Sequence, residues 1–331
     1  MGLAIWARSF VFAISIGAGL GGLITPDRAA FAQSAFPDRT VRLIVPSPPG
    51  TMIDLLPRML GEKLSARWGR PVIIENRSGA AHNIGADTVA KAEPDGHTLL
   101  VTPPAPIVLT QWLGPKSGTQ GAGLVPVTVL ATFPQILIVN PKVPAKTLAE
   151  WAAYAKAKPG RMSYGSPGTG TTAHLIQEEL MRVLGINLVH VPYQGMGPAI
   201  NDLVAGHIDT MFAAVGTALP HVEDGKVRPI ALTHGPRLAE FPGVPVMSET
   251  LPVFSHVEWF AVVAPPRTPA ATVTALSQAF SEALRSSDVQ DRLRRALLMP
   301  IGNSPAEAAT FVEGERERWR AIVEARTNQS K

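Results

Sequence analysis

The order of apolar and polar positions gives the first outline of the chain. A β-branched run, Val41–Val45, stops at Pro46-Ser47-Pro48-Pro49-Gly50, which predicts a strand entering a rigid loop. From Asp54, the apolar residues Leu55, Met59, Leu60 and Leu64 recur at helical spacing, and Trp68-Gly69 closes that helix. Residues 72–74 predict a second strand, 76–83 a loop, 84–91 a helix, Pro94-Asp95-Gly96 a turn and Thr98–Thr102 a third strand. Strand–helix–strand–helix–strand is the order of a parallel sheet covered by helices. The stretch 103–126 has five prolines, four glycines and no period, and is read as loop.

A second unit follows. Strands are predicted over 136–139, 162–164, 189–191 and 208–212. Between them lie a helix that starts at the capping box Thr147-Leu148-Ala149-Glu150 and ends at Pro159-Gly160, a helix Thr172–Leu184 stopped by Gly185, and a helix over 198–205. Loops run from Pro236 to about Ser255, and 258–263 reads as one more strand. Helices over 269–285, 289–298 and 305–326 complete the chain, the last with Ser304 as N-cap and Glu307 three residues on. The late strand and helical tail suit a return to the first unit. The expected domains are therefore 36–135 with 258–331, and 136–257. A chain that crosses twice forms a hinge and a cleft, where ligands of open α/β sheets sit.

The first residues read differently. Arg8, the short apolar run 10–24 and Ala30-Phe31-Ala32 ahead of Gln33 predict a signal peptide over 1–32, removed on export. The run is shorter than the ~20 residues of a membrane-spanning helix, so the mature protein is expected to be periplasmic and not membrane-embedded. The chain has 331 residues, enough for about two domains. Its net charge is only +4 and no dense Lys/Arg cluster occurs, which argues against nucleic acid as a partner. Cysteine is absent, so disulfides, thiolate metal sites, cysteine nucleophiles and a lipid-modified cysteine all drop out.

Candidate chemistry lies in loops that open helices. Gly168-Thr169-Gly170-Thr171-Thr172-Ala173 fits G-x-G-x-x-A, which leaves dinucleotide binding open. The next strand, however, offers no acid for a ribose. A small anion suits the same geometry, held by Ser166, Thr169, Thr171 and backbone N–H groups at the positive end of the following helix. Ser47-Pro48-Pro49-Gly50-Thr51 is the matching loop of the first unit. His82, in another small-residue loop, is either a donor to an anion or a solvated surface histidine, and His174 is placed to steady the 166–171 loop. Asp54 and Asp209 read as loop braces rather than catalysts. No G-x-S-x-G, H-E-x-x-H or ligand-spaced cluster of His, Asp and Glu occurs, so no catalytic residues, metal or cofactor are assigned.

One ordered set of motifs carries a resemblance. It runs from Val41-Arg42-Leu43-Ile44-Val45-Pro46 through Glu75-Asn76-Arg77-Ser78-Gly79 and Pro94-Asp95-Gly96-His97 to Tyr164-Gly165-Ser166-Pro167-Gly168. His190-Val191-Pro192-Tyr193-Gln194-Gly195 and Gly206-His207-Ile208-Asp209 continue it. From about Phe36 onward the chain resembles the Bug-type extracytoplasmic substrate-binding proteins of tripartite tricarboxylate transporters. That resemblance implies a periplasmic-binding-protein-like fold of type II, with two doubly wound α/β domains joined by a hinge. It also implies capture of a small carboxylate through loop amides and ordered waters. By position the ligand-binding residues are Ser47, Pro49, Gly50, Thr51, Met52 and Asp54, with His82 and Asn83. From the second unit come Ser166, Gly168, Thr169, Gly170, Thr171, Tyr193, Gln194, Gly195 and Asp209. The chain departs from the family pattern at Met52, at His82 and after Thr102. The expected function is a monomeric receptor for a di- or tricarboxylate, acidic amino acid or aromatic acid, which it hands to membrane transporter subunits. The alternatives are a receptor for a signalling partner and an exported enzyme.

Overall fold

The computed structural model describes residues 36–109 and 123–329. The expected signal peptide lies outside the described residues, as does the middle of the 103–126 loop. Ten strands form one mixed sheet in the order β2-β1-β3-β9-β4-β7-β5-β6, with β8 and β10 also paired to β4. The first three strands, β1 (Val41–Val45), β2 (Val72–Asn76) and β3 (Thr98–Thr102), are parallel, with α1 (Met52–Trp68) and α2 (Asn83–Ala90) as crossovers. Val41, Leu43 and Val45 pack toward Leu56, Leu60 and Leu64 of α1, while Ile44 enters a second cluster on the opposite face. A strand covered on both faces reads as a continuous apolar run, and β1 is one.

The second half holds the parallel pair β5 (Ser163–Ser166) and β6 (Val189–Pro192), with β7 (Thr210–Ala214) beside β5. Its helices are α4 (Leu148–Lys156), α5 (Thr172–Leu184) and α6 (Met196–Ala205). Local signals set their ends. Thr147 accepts from the Glu150 amide at the start of α4, and Gly185 stops α5 at a φ of 61°. Strand β9 (Val257–Ala264) then pairs antiparallel with both β3 and β4. Three helices follow, α8 (Ala270–Arg285), α9 (Ser287–Arg295) and α10 (Pro305–Gln329), with β10 (Met299–Pro300) between α9 and α10.

The largest difference from the sequence reading is β4, which runs from Val125 to Val139 rather than over 136–139, so part of the expected loop is strand. Its prolines argue for a loop because proline cannot donate to a ladder. Here Pro126 borders a register shift. Pro134 stands where pairing with β9 gives way to pairing with β7 and β8 at Gln135 and Ile136. A short helix α3 (Ala105–Val108) also lies in that stretch. Helix α7 (Val215–Glu223) and strand β8 (Arg228–Leu232) have no counterpart in the sequence reading, since Gly216, Pro220 and Pro229 mask their periodicity. Among the described residues, no helix is long and apolar enough to cross a membrane.

Candidate ligand-binding cleft

Strand-to-helix turns from both halves of the sheet converge on one hollow. Its outer part, about 550 Å³, is walled by the β1–α1 turn at Ser47 and Pro48, the residues 78–83, the β5–α5 turn and the β6–α6 turn. An inner part of about 200 Å³ shares Ser47, His82, Pro167 and Gly195 with it. The inner chamber reaches the first residues of α1 (Met52, Ile53), α5 (Thr172, Ala173) and α6 (Met196, Gly197), with Phe133 and Phe260 from the central strands. The first amides of a helix have no intrahelical acceptor, and the helix dipole adds positive potential there. Among the described residues, neither wall contains Lys or Arg. An anion in this hollow would be met by N–H and O–H groups.

Each turn is held by its own hydrogen bonds. The Thr51 hydroxyl lies 2.9 Å from the Pro48 carbonyl and 3.1 Å from the Ser47 hydroxyl. Asp54 is buried and does not line the hollow. It accepts from the Gly50 amide, from Asn76 and from two nitrogens of Arg58 at 2.8–2.9 Å. Those hydrogen bonds outweigh the effect of burial and hold its carboxyl below the usual range. Pro49 is exposed and also lies off the walls. In the β5–α5 turn, the Thr171 hydroxyl donates to the Gly168 carbonyl at 2.7 Å, and Gly170 donates to His174 Nδ1. Gly168 and Gly195 have φ of 144° and 121°, a region that L side chains rarely adopt.

His82 proves to be half-buried rather than a solvated surface residue. Pro46 O accepts from its Nδ1 at 2.8 Å, so that nitrogen carries the proton. Burial pushes its pKa down, with the Pro46 hydrogen bond opposing. Asn83 is buried and holds the Ala80 carbonyl at 2.8 Å. Tyr193 lines the outer cavity, but its hydroxyl donates to Asp202 at 2.7 Å. Burial, and then the Asp202 carboxylate, push its pKa up to about 12.

The hollow therefore gathers Ser47, Gly50, Thr51, Met52, His82, Asn83, Gly168, Thr169, Gly170, Thr171, Tyr193, Gln194 and Gly195. Two further residues correct the sequence reading. Ser166 is fully buried behind the turn and lies on neither wall. Asp209 precedes β7 at the end away from the hollow, while Ala214, five residues or roughly 16 Å along that strand, reaches the inner chamber. Asp209 accepts from the Ser163 amide at 2.7 Å and pairs with Lys142 at 3.3 Å.

The sequence reading passed over two polar residues of the inner chamber, Gln135 and Glu258, both buried and joined at 2.8 Å. Glu258 interrupts an otherwise apolar strand, Val257-Glu258-Trp259-Phe260-Ala261-Val262-Val263. A lone acid inside a buried strand is the signal that would have found it. Among the described residues, no group of three His, Asp or Glu side chains is placed to hold a metal ion.

Comparison with known proteins agrees with this architecture. The model of the tripartite tricarboxylate transporter family receptor matches residues 56–328. BugT of Bordetella pertussis is 33% identical over 298 residues, covering 89% of this chain and 91% of BugT. MatC from Rhodopseudomonas palustris with bound malate is 32% identical, with a TM-score of 0.81 over 87% of this chain and 100% of MatC. A second R. palustris protein, solved with adipate, is 31% identical, with a TM-score of 0.80 over 87% of this chain and 97% of its own. The mixed α/β sheet is that of periplasmic solute-binding proteins, as the motif resemblance implied. The chain belongs to the tripartite tricarboxylate transporter receptor family, whose members are periplasmic solute-binding receptors.

Proposed function

We propose that this protein captures a small organic carboxylate in the hollow between two lobes, 36–135 with 258–331 and 136–257, and delivers it to the membrane subunits of a tripartite transporter. The observation that carries the reading is the wall chemistry. Helix N-termini from both halves of the sheet open on one chamber whose described lining residues include no Lys or Arg. Carboxylate capture by amides and hydroxyls suits that wall. The malate and adipate of the two Rhodopseudomonas palustris relatives support the class of ligand. In this reading Ser47, Thr51, Thr169, Thr171 and Gly195 face the ligand, while Asp54 and Ser166 act by holding the turns. Residues 1–32 direct export and are cleaved, and the cysteine-free chain acts without a lipid anchor. The protein works as a monomer whose lobes close on the ligand.

The protein binds without catalysing a reaction. Two serine–histidine pairs among the described residues resemble a nucleophile and base, Ser166 with His190 and Ser255 with His234, and none of the four lines the hollow. Calorimetry against dicarboxylates, tricarboxylates, acidic amino acids and aromatic acids tests the reading. Micromolar binding of at least one class, about −8 kcal/mol, is the expected result. If no carboxylate binds, the proposal fails.

A further inference from the structure

Among the described residues, one ionisable acid lines the inner chamber. Glu258 is only 5% exposed, sits on β9 beside Phe133 of β4 and forms part of the chamber wall. Gln135 donates to its Oε2 at 2.8 Å, and the Thr172 side chain also bonds it. Thr172 is the first residue of α5, so this carboxyl group shares a small chamber with the amides that meet an anion. Two negative charges in that volume, with no Lys or Arg among the described residues of either wall, repel each other at close range in a poorly solvated space. A proton on Glu258 removes the conflict. Gln135 and Thr172 both hydrogen-bond this carboxyl group as donors, and among the described residues no acceptor faces its own O–H. Gln135 Oε1 is also buried, with no hydrogen-bond partner among the described residues.

We propose that Glu258 meets the captured ligand as a protonated acid and donates a hydrogen bond to its carboxylate, in the position that a lysine or arginine takes in a cation-lined site. This rests on the carboxylate reading above and adds to it a named binding residue and a linked proton. Burial raises the Glu258 pKa to about 8 against the hydrogen bonds from Thr172 and Gln135, and the charge of Glu315 adds to the rise. The other groups nearby are accounted for. On α10, Glu315 accepts from Trp259 at 3.0 Å and pairs with Arg318 at 2.8 Å, which also donates to the Ser255 carbonyl. His256, just before β9, is held down to about 3 by burial and by Arg318. His82 on the shared wall is also held low.

Calorimetry of the protein with malate and with adipate, in two buffers of different ionisation heat, measures the protons taken up on binding. At pH 9 we expect uptake approaching one proton per bound acid, falling toward zero at pH 6. Affinity should drop up to about tenfold for each pH unit above 8. Glu258→Gln keeps the shape and neutral form of the group. It should lose the pH dependence of affinity between pH 6 and 9 and take up no proton at pH 9. Equal uptake in Glu258→Gln overturns the proposal and assigns the proton to another group. A flat wild-type affinity from pH 6 to 9 overturns it even if the variant does not fold, while leaving carboxylate capture intact. Failure of malate, adipate and every other carboxylate of the calorimetric screen to bind at any pH sinks this proposal and the carboxylate reading together.

Discussion

Ser166 Oγ lies 2.7 Å from His190 Nε2, and neither residue lines the hollow. Their strands are paired neighbours, and His190 stacks on both Tyr164 and His174, with ring centroids 4.7 and 4.2 Å away. Ser166 in turn accepts from the Gly168 amide, and His174 accepts from the Gly170 amide. A buried polar stack thus pins both glycines of the turn that faces the cleft.

From this it follows that Ser166→Ala weakens ligand binding without removing a ligand contact. The lost hydrogen bonds should destabilise the protein by about 1 kcal/mol. Thermal unfolding alongside calorimetry checks both effects. Unchanged affinity would separate the stack from binding.

Acid should loosen the same stack. Burial, then the nearby His174, lower the His190 pKa to about 4, with Glu178 opposing. The unfolded chain therefore binds more protons than the folded one between pH 6.5 and about 4. The stabilising effect is complete above pH 6.5 and is lost as pH falls through that window. Glu258 has the opposite sign. Its contribution is complete below about pH 4.5 and is lost as pH rises through 8. Melting temperatures across pH 4–9 should fall less steeply on the acid side in His190→Gln, and less steeply on the alkaline side in Glu258→Gln. Curves parallel to wild type would refute these assignments.

Gly195→Ala should damage the cleft from the other turn. At a φ of 121° any Cβ is strained, and here it would also touch Pro48 of the β1–α1 turn at 3.5 Å. A stability loss of about 1–2 kcal/mol and at least tenfold weaker carboxylate binding are expected. Chemical denaturation and calorimetry measure the two effects.

Asp54→Ala should act through the fold of the β1–α1 turn. It strips acceptors from the Gly50 amide, Asn76 and Arg58. Because Arg58 is about half exposed, the expected loss is about 2–3 kcal/mol, below the cost of breaking a fully buried pair. Hydrogen exchange at Gly50 should rise with it. Protection equal to wild type would show that the turn holds without this brace.

Much of the fold was legible in the sequence because the signals are local. Gly69 and Gly185 end helices where left-handed φ is needed, and Thr147 caps α4 through its own side chain. Strand β4 escaped because the permission for its prolines comes from β7, β8 and β9, which lie far along the chain. The turns of the hollow were found because small residues between a strand and a helix mark a helix N-terminus wherever it lies. Ser166 and Asp209 lie off the walls, since being near a strand end does not say whether a side chain faces the hollow.

By itself, then, the sequence determined the α/β alternation, most helix ends and the amide-rich turns, since each depends on residues within a few positions of one another. Tertiary structure decided which end of β7 meets the cleft, that Ser166 is buried behind its turn, and that Gln135 and Glu258 meet across 123 positions. Those are matters of strand pairing and burial. The pKa of Glu258 follows from what the completed fold packs around it, which no neighbour in sequence specifies.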